Sequence, residues 1–183
     1  MPKVSQEHLD ARREQILEGA RRAFAAYGYD GATVARLEEE TGLSRGAIFH
    51  YFENKQDLFV ECAWAMTRRF GDILVERGLD DAVRAIASES PEWLGVLIEA
   101  QSKLRHDDEF VRRLDAKAGG STAIGDWFEQ RQAEGALRDD ISALELGRFA
   151  SSVVNGLALR VAGQDAFDVD AAVRLLNDAL APR

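Results

Sequence analysis

Apolar side chains recur at helical spacing along nearly the whole chain. The first stripe contains Ile16, Ala20, Ala23, Phe24 and Tyr27, and intervals of three to four residues predict one buried helical face. Strand-type alternation of Val, Ile and Thr is absent, and only three prolines interrupt the sequence. The pattern predicts an all-α protein of about nine helices.

Capping residues and glycines predict where these helices begin and end. The first helix is expected from about Gln6 to Tyr27, because Gly28 suits the left-handed position that follows a helix. The expected N-caps are Thr33, Ser44, Asn54, Ser142 and Asp168, with Pro91 as the first residue of a helix. The later helices are expected at 34–40, 45–51, 54–77, 79–88, 91–105, 107–132, 142–162 and 168–180. A kink or break is expected at Gly119-Gly120.

Composition and charge limit the classes of function. Apolar types make up 46% of the 183 residues and charged types 30%, which is an ordinary globular balance. The net charge of −9 disfavours general adhesion to nucleic acids or membranes but permits a local patch. Cys62 is the only cysteine, so no internal disulfide can form. With no signal sequence or membrane span in view, we expect a cytoplasmic protein.

The second and third predicted helices have the spacing of a helix-turn-helix, with Gly42 in the turn between them. In such a unit the second helix enters the major groove of DNA and the first lies across the backbone. The apolar positions expected to join the two helices are Val34, Leu37, Leu43, Ile48 and Phe52. The residues expected on the opposite face are Arg45, Gly46, His50 and Tyr51.

These exposed residues have chemistry suited to DNA. Arg45, at the helix N-terminus, can donate two hydrogen bonds to one guanine, while Gly46 allows close approach and Ala47 can contact a thymine methyl. Donors for phosphate oxygens are expected from Thr33, Tyr51 and Lys55, and from Ser44 in addition to its capping role. Each residue alone would be an ordinary surface group, and their coincidence on one helix face favours DNA.

Four segments of this region resemble the N-terminal domain of the tetracycline-repressor (TetR) family. They are residues 16–24, 28–34 and 41–52, followed by Lys55 and Leu58-Phe59. The resemblance implies a DNA-binding domain at 1–53, an effector-binding and dimerisation domain at 54–183, and a homodimeric regulator, usually a repressor. The DNA-contacting positions it implies are Thr33, Arg36, Ser44, Arg45, Gly46, His50, Tyr51 and Lys55.

Within that family, residues 31–39, 44–50 and 103–107 are similar to the actinobacterial aconitase repressors. This branch implies control of an aconitase gene and a citrate-like tricarboxylate effector, alone or together with Mg2+. The alternative is a TetR-family repressor of an unrelated gene, with a hydrophobic or other small effector. No cofactor is required by either alternative.

Three consecutive glutamates, Glu38 to Glu40, depart from the small or mixed residues that most family members carry there. Residues 1–55 hold eight Lys and Arg against nine Asp and Glu, so the predicted reading domain is not basic. We expect the three glutamates to face away from DNA or to pair with Arg36 and the Arg21-Arg22 pair.

Two further sets of residues follow from the family architecture. The polar and aromatic side chains expected to face an effector pocket are Trp64, Arg68, Trp93, Glu99, Arg105 and Arg131. Arginines suit a carboxylate because their planar fork donates two parallel hydrogen bonds. The residues expected at the dimer interface are Phe149, Val153, Gly156, Leu157, Val173 and Leu176. For every member of both sets, the chain's own core or a solvated surface is the competing interpretation.

An enzyme and a protein-binding helical adaptor are the alternative classes. His50 with Glu53, and His106 with Glu109, lie one helical turn apart, a spacing that can bind a metal. The further ligands of a di-iron bundle are missing, and no phosphate loop, nucleophile elbow or dinucleotide fingerprint occurs. We therefore expect no catalysis and no metal site. The expected partners are double-stranded operator DNA, a second copy of the chain and a small effector.

Overall fold

The computed structural model describes residues 6–103, 105–118 and 123–183, and over those ranges it has ten α-helices and no strand. The helices are α1 Gln6–Gly31, α2 Val34–Thr41, α3 Arg45–Tyr51, α4 Lys55–Arg77, α5 Leu79–Ala87, α6 Pro91–Lys103, α7 Asp108–Ala118, α8 Ala123–Ala133, α9 Ala143–Ala162 and α10 Val169–Leu180. The all-α prediction is confirmed. Of these described helices, none combines the length and the apolarity needed to cross a membrane.

The helix expected over 107–132 is two helices, α7 and α8, which raises the count from the predicted nine to ten. Gly119 and Gly120, where the break was expected, lie outside the described residues. The remaining boundaries agree with the predictions to within two residues, except the end of α1, which lies at Gly31 and not at Tyr27.

Side-chain caps begin the helices where the sequence predicts them. Each of four cap residues accepts a hydrogen bond from the backbone N–H three residues later; they are Thr33, Ser44, Ser142 and Asp168. Asn54 caps α4 as predicted, but the return bond of the capping box goes to Glu53, the residue before the cap, and not to Asn54. Asn54 Oδ1 accepts from the N–H of Asp57 at 2.9 Å, and the Asp57 carboxylate accepts from the N–H of Glu53 at 3.1 Å.

Gly28 bends α1 rather than ending it. Its φ of 66° and ψ of 176° lie outside the helical region, and helical conformation resumes as far as Gly31. The predicted end of the first helix therefore corresponds to a kink. The positive φ explains why glycine stands there, since other residues rarely adopt it.

The chain forms two compact units, of which one comprises Met1–Met66 with Gly95–Lys117 and the other Thr67–Leu94 with Ala118–Arg183. The reading helices α2 and α3 lie in the first unit, together with most of α7. The predicted domain boundary after residue 53 stays a prediction.

In the first unit, helices α1 and α2 pack at backbone contact. A Cβ added to Gly19 would lie 2.6 Å from Thr41 Cα and 2.7 Å from the carbonyl oxygen of Glu40. Around this crossing the core is aromatic: the Phe24 and Phe59 rings meet edge to face at 4.9 Å. Glycine is required at position 19 because no side chain fits between the two backbones.

The apolar positions predicted to join α2 and α3 do so. Leu37, Ile48 and Phe52 are buried in the core of the first unit, and Leu43 packs against it half-buried. Val34 is half-buried. The helix-turn-helix is therefore fixed from its inner side, which leaves the outer face of α3 free for contacts.

In the second unit, side chains of α5, α8, α9 and α10 share one core. The Trp127 and Phe128 rings of α8 meet edge to face at 4.9 Å. Leu146 of α9 and Leu176 of α10 are buried in the same cluster.

Candidate nucleic-acid interface

The turn between α2 and α3 is built by glycine and threonine. Gly42 has φ 69° and ψ 20°, the left-handed conformation, and its N–H donates to the Glu38 carbonyl at 2.9 Å. The buried Thr41 hydroxyl donates to the Leu37 carbonyl at 2.7 Å and accepts from the N–H of Leu43 at 3.2 Å. These bonds set the direction in which α3 leaves the turn.

The outer face of α3 carries the side chains that the sequence assigns to DNA. Arg45, Gly46 and His50 are exposed, and Tyr51 is half-buried with its ring edge to face against His50 at 5.4 Å. Among the described residues, nothing accepts a hydrogen bond from the Arg45 guanidinium. The five donors of that group are therefore available to an external acceptor.

Gly46 has open space where a side chain would stand. A Cβ built on it meets no atom within 4 Å, and its φ is not positive. The chain's own packing and backbone therefore give no reason for glycine at this exposed helical position. A ligand that approaches the backbone closely would give one.

Two cations at predicted DNA-contacting positions, Arg36 and Lys55, are already engaged within the first unit. Arg36 donates to the Gly31 carbonyl at 2.8 Å, with its guanidinium carbon 4.1 Å from the centre of the Tyr27 ring. Lys55 Nζ donates to the Tyr29 carbonyl at 2.8 Å. Burial lowers the pKa of Lys55 from its usual value. Both cations keep further N–H donors, three in all for lysine and five for arginine.

The glutamate run has two structural roles that the sequence predicts only in part. Glu40 pairs with Arg22 at 3.0 Å, which confirms one of the expected ion pairs. Glu38 instead accepts a hydrogen bond from the backbone N–H of Arg45 at 2.6 Å. Sequence reasoning missed this contact, since it joins residues seven apart on two different helices.

A second feature missed from the sequence is the set of charged contacts between α7 and the start of α4. Arg113 pairs with Glu53 at 2.8 Å, and Asp107 accepts from the Gln56 amide at 3.0 Å. The Arg113 guanidinium lowers the pKa of Glu53 through a hydrogen bond. These contacts hold α7 against the segment that directly follows α3.

Comparison with known proteins identifies the family. The model for bacterial regulatory proteins of the tetR family matches residues 16–62. The HTH-type transcriptional repressor Rv1474c of Mycobacterium tuberculosis is 40% identical over 184 residues, which cover 98% of both chains. The chain belongs to the TetR family.

Other TetR-family proteins extend the similarity beyond the reading helices. The HTH-type transcriptional repressor AcnR of Corynebacterium glutamicum is 39% identical over 154 residues, 82% of this chain and 81% of that protein. The solved structure of Salmonella enterica GusR superposes with a TM-score of 0.75 at 17% identity, covering 97% of this chain and 98% of that one, which shows the fold alone.

The chain is thus a helix-turn-helix transcriptional repressor of the TetR family and not an enzyme. TetR-family repressors bind operator DNA as dimers and respond to small-molecule effectors. Over the described ranges, no group of three or more His, Cys, Asp or Glu side chains is arranged to hold a metal ion.

The six residues predicted to face the TetR-family effector are divided between the two units. In the first unit, Trp64 is half-buried and Arg105 is exposed, while both carboxylate oxygens of Glu99 accept from the N–H of Tyr29 at 2.8 Å. Both oxygens of the Glu99 carboxylate are therefore bound to the backbone of the residue that follows the Gly28 kink. This hydrogen bonding leaves the carboxylate less free for an effector than the sequence implied.

In the second unit, Trp93 is half-buried and Arg68 is exposed beside Asp72 at 3.7 Å. Arg131 pairs with Glu134 at 3.0 Å, and its guanidinium carbon lies 5.5 Å from the Trp127 ring centre. The Trp127 Nε1–H is buried without an acceptor among the described residues. A buried donor of this kind is satisfied by a polar ligand or by water, and no pattern in the sequence predicts it.

The residues predicted for the dimer interface divide into exposed and buried ones. On α9, Phe149 is 46% exposed, Gly156 is exposed, and Val153 and Leu157 are half-buried. On α10, Val173 and Leu176 are 5% and 3% exposed and pack in the chain's own core. Because those two have almost no surface left to bury, a partner subunit can gain little from them.

Other apolar side chains on the same two helices, which the sequence did not single out, are exposed. Leu144 and Leu159 on α9 and Leu175 on α10 are all well exposed. Beside Leu144, an open groove of about 510 Å³ runs between α8 and α9, lined in part by Ile124, Phe128 and Ser152.

Proposed function

We propose that this repressor reads its operator through the outer face of α3, with Arg45 donating to a guanine in the major groove. The observation that carries the proposal is the unengaged guanidinium at the capped N-terminus of α3. Contacts to bases or phosphates at the flanking positions come from Thr33, Arg36, Ser44, Gly46, His50, Tyr51 and Lys55.

Arg45→Ala and Lys55→Ala test this assignment, because loss of a base contact changes sequence preference whereas loss of a phosphate contact weakens binding to all sequences. Loss of the bidentate pair should weaken operator binding by roughly 1–3 kcal/mol and relax base preference at one position. Lys55→Ala should weaken all sequences alike and reduce the slope of log affinity against log salt by about one. Fluorescence anisotropy on operator and scrambled duplexes measures both. An equal loss on the two duplexes for Arg45→Ala would contradict its role.

Gly46→Ala should stabilise the protein and weaken its binding to DNA. Alanine in place of an exposed helical glycine adds up to about 1 kcal/mol to the free energy of unfolding, since the added Cβ meets no atom. On the operator the same Cβ would stand between the helix backbone and DNA. Gly95→Ala, another helical glycine with open space, is the control and should gain stability without loss of affinity. Unchanged operator affinity for Gly46→Ala would remove Gly46 from the interface.

We propose further that the effector is a citrate-like tricarboxylate, alone or with Mg2+, and that the target is an aconitase gene. The similarity to proteins named AcnR supports this proposal. Arg131, beside the orphan Trp127 Nε1–H, offers two kinds of donor for a carboxylate. Mg2+ would be held largely by the ligand and water, as is usual for this ion.

A thermal-shift series tests the effector. Citrate should raise the melting temperature of the wild type, with or without Mg2+, because a ligand that binds only the folded state stabilises it. Arg131→Ala should remove most of that shift, whereas Arg84→Ala, which breaks an exposed ion pair with Asp170, should keep it. No shift with citrate would discard the tricarboxylate and favour the alternative of a hydrophobic or other effector.

The effector should act by changing the separation of the two α3 helices in the dimer. Reading helices one DNA turn apart, about 34–36 Å, fit two half-sites at once. A ligand that favours a different separation by a few kcal/mol lowers operator occupancy.

A further inference from the structure

We infer that Glu38 is a positioning residue for operator recognition. Its hydrogen bond fixes the N-terminus of α3 for base reading, and its charge lowers the affinity of the protein for every DNA sequence. The inference rests on the proposed function of α3. The residue concerned, Glu38, lies on α2 and not on the reading helix α3.

The contact itself carries the positioning role. Glu38 Oε1 accepts from the backbone N–H of Arg45, the first residue of α3, at 2.6 Å. Ser44 Oγ accepts from the N–H of Ala47 at 3.4 Å, so α2 and the N-cap residue of α3 each supply an acceptor for the first turn of α3. A hydrogen bond to a carboxylate is about twice as strong as one between neutral groups. The backbone from which the Arg45 side chain starts is therefore held from two directions.

The same contact has an electrostatic cost for DNA binding. Glu38 places a negative charge beside the first residue of α3, the end of the helix that the proposed base reading brings to DNA. Its repulsion of the phosphates is independent of base sequence. Glu38 therefore weakens the binding of operator and unrelated DNA alike, while the positioning of Arg45 favours the operator alone.

Two substitutions separate these effects. Glu38→Gln keeps an oxygen acceptor for the Arg45 N–H but removes the charge. It should tighten binding to operator and scrambled duplexes equally, by about two- to fivefold at low salt, and the gain should shrink as salt rises. Glu38→Ala removes charge and acceptor together. It should lower the ratio of operator to scrambled affinity by about fivefold or more, toward the ratio of Arg45→Ala.

Glu39→Gln is the matched control, since Glu39 is exposed beside Glu38 and carries the same charge. It should leave the ratio unchanged and give a smaller gain in affinity. Melting temperatures of all variants verify folding. A ratio of operator to scrambled affinity that Glu38→Gln keeps and Glu38→Ala loses separates positioning from a general loss of stability.

The outcome distinguishes this inference from the proposed function. If the wild type prefers no sequence, or Arg45→Ala keeps the full preference, the proposed reading by α3 fails. If Arg45→Ala loses the preference while Glu38→Ala keeps it, the positioning role of Glu38 is overturned and the reading role stands. If Glu38→Gln does not tighten binding to scrambled DNA, the electrostatic role is overturned.

Discussion

Gly19→Ala should lower the free energy of unfolding by roughly 1–3 kcal/mol, although alanine is the better helix former. The added Cβ would lie 2.6 Å from Thr41 Cα and 2.7 Å from the Glu40 carbonyl oxygen, and neither is the end of a flexible side chain. Helix α2 would have to move away from α1. That movement would also disturb the hydrogen bond from Arg22 to Glu40 and the turn that directs α3.

Thermal denaturation followed by circular dichroism measures this effect. For a chain of this length, each kcal/mol corresponds to about 2–4 °C in the melting temperature. Gly95→Ala is the same chemical change where nothing obstructs the Cβ, and it should raise the melting temperature slightly. Equal behaviour of the two variants would show that α1 and α2 do not pack at backbone contact.

Phe149→Asp should dissociate the dimer. A large aromatic side chain that is 46% exposed in one chain has surface to bury against a partner. A charge buried in its place adds a desolvation cost. Truncation of such an anchor typically costs about 2 kcal/mol or more, which is about thirtyfold or more in the dissociation constant. Operator affinity should fall with it, because a single chain presents one α3 instead of two.

Sedimentation equilibrium of the wild type and the variant measures the dissociation constant. Val75→Asp is the control, since Val75 is similarly exposed, at 44%, but stands on α4 and not on α9 or α10. It should leave the dimer intact. If Phe149→Asp stays dimeric over the concentrations at which the wild type is dimeric, the interface lies on another face.

Local contacts explain why so much of the helical framework could be predicted. Ser44, Ser142 and Asp168 cap their helices through an N–H only three residues away, so sequence spacing alone contains the information. Gly28 shows the limit of that reasoning. Its positive φ was foreseen, but whether the helix resumes afterwards depends on packing rather than on local preference.

Contacts between distant residues could not be predicted in this way. The bond from the Arg45 N–H to Glu38, and the ion pair between Arg113 and Glu53, join helices whose relative placement follows from the core. Which face of α10 is buried is a similar case. Its apolar stripe was recognised, but only the packed structure shows that Val173 and Leu176 face the core while Leu175 is exposed.

Operator reading by two α3 helices is measured by selecting preferred duplexes from a random pool with the 183-residue chain and footprinting them with hydroxyl radicals. We expect two copies of one short half-site related by twofold symmetry, with centres one DNA turn of about 34–36 Å apart or a multiple of it. In each copy, replacement of one guanine should weaken binding by the wild type but not by Arg45→Ala. A single unsymmetrical footprint, or enrichment of no sequence, would contradict dimeric reading by α3.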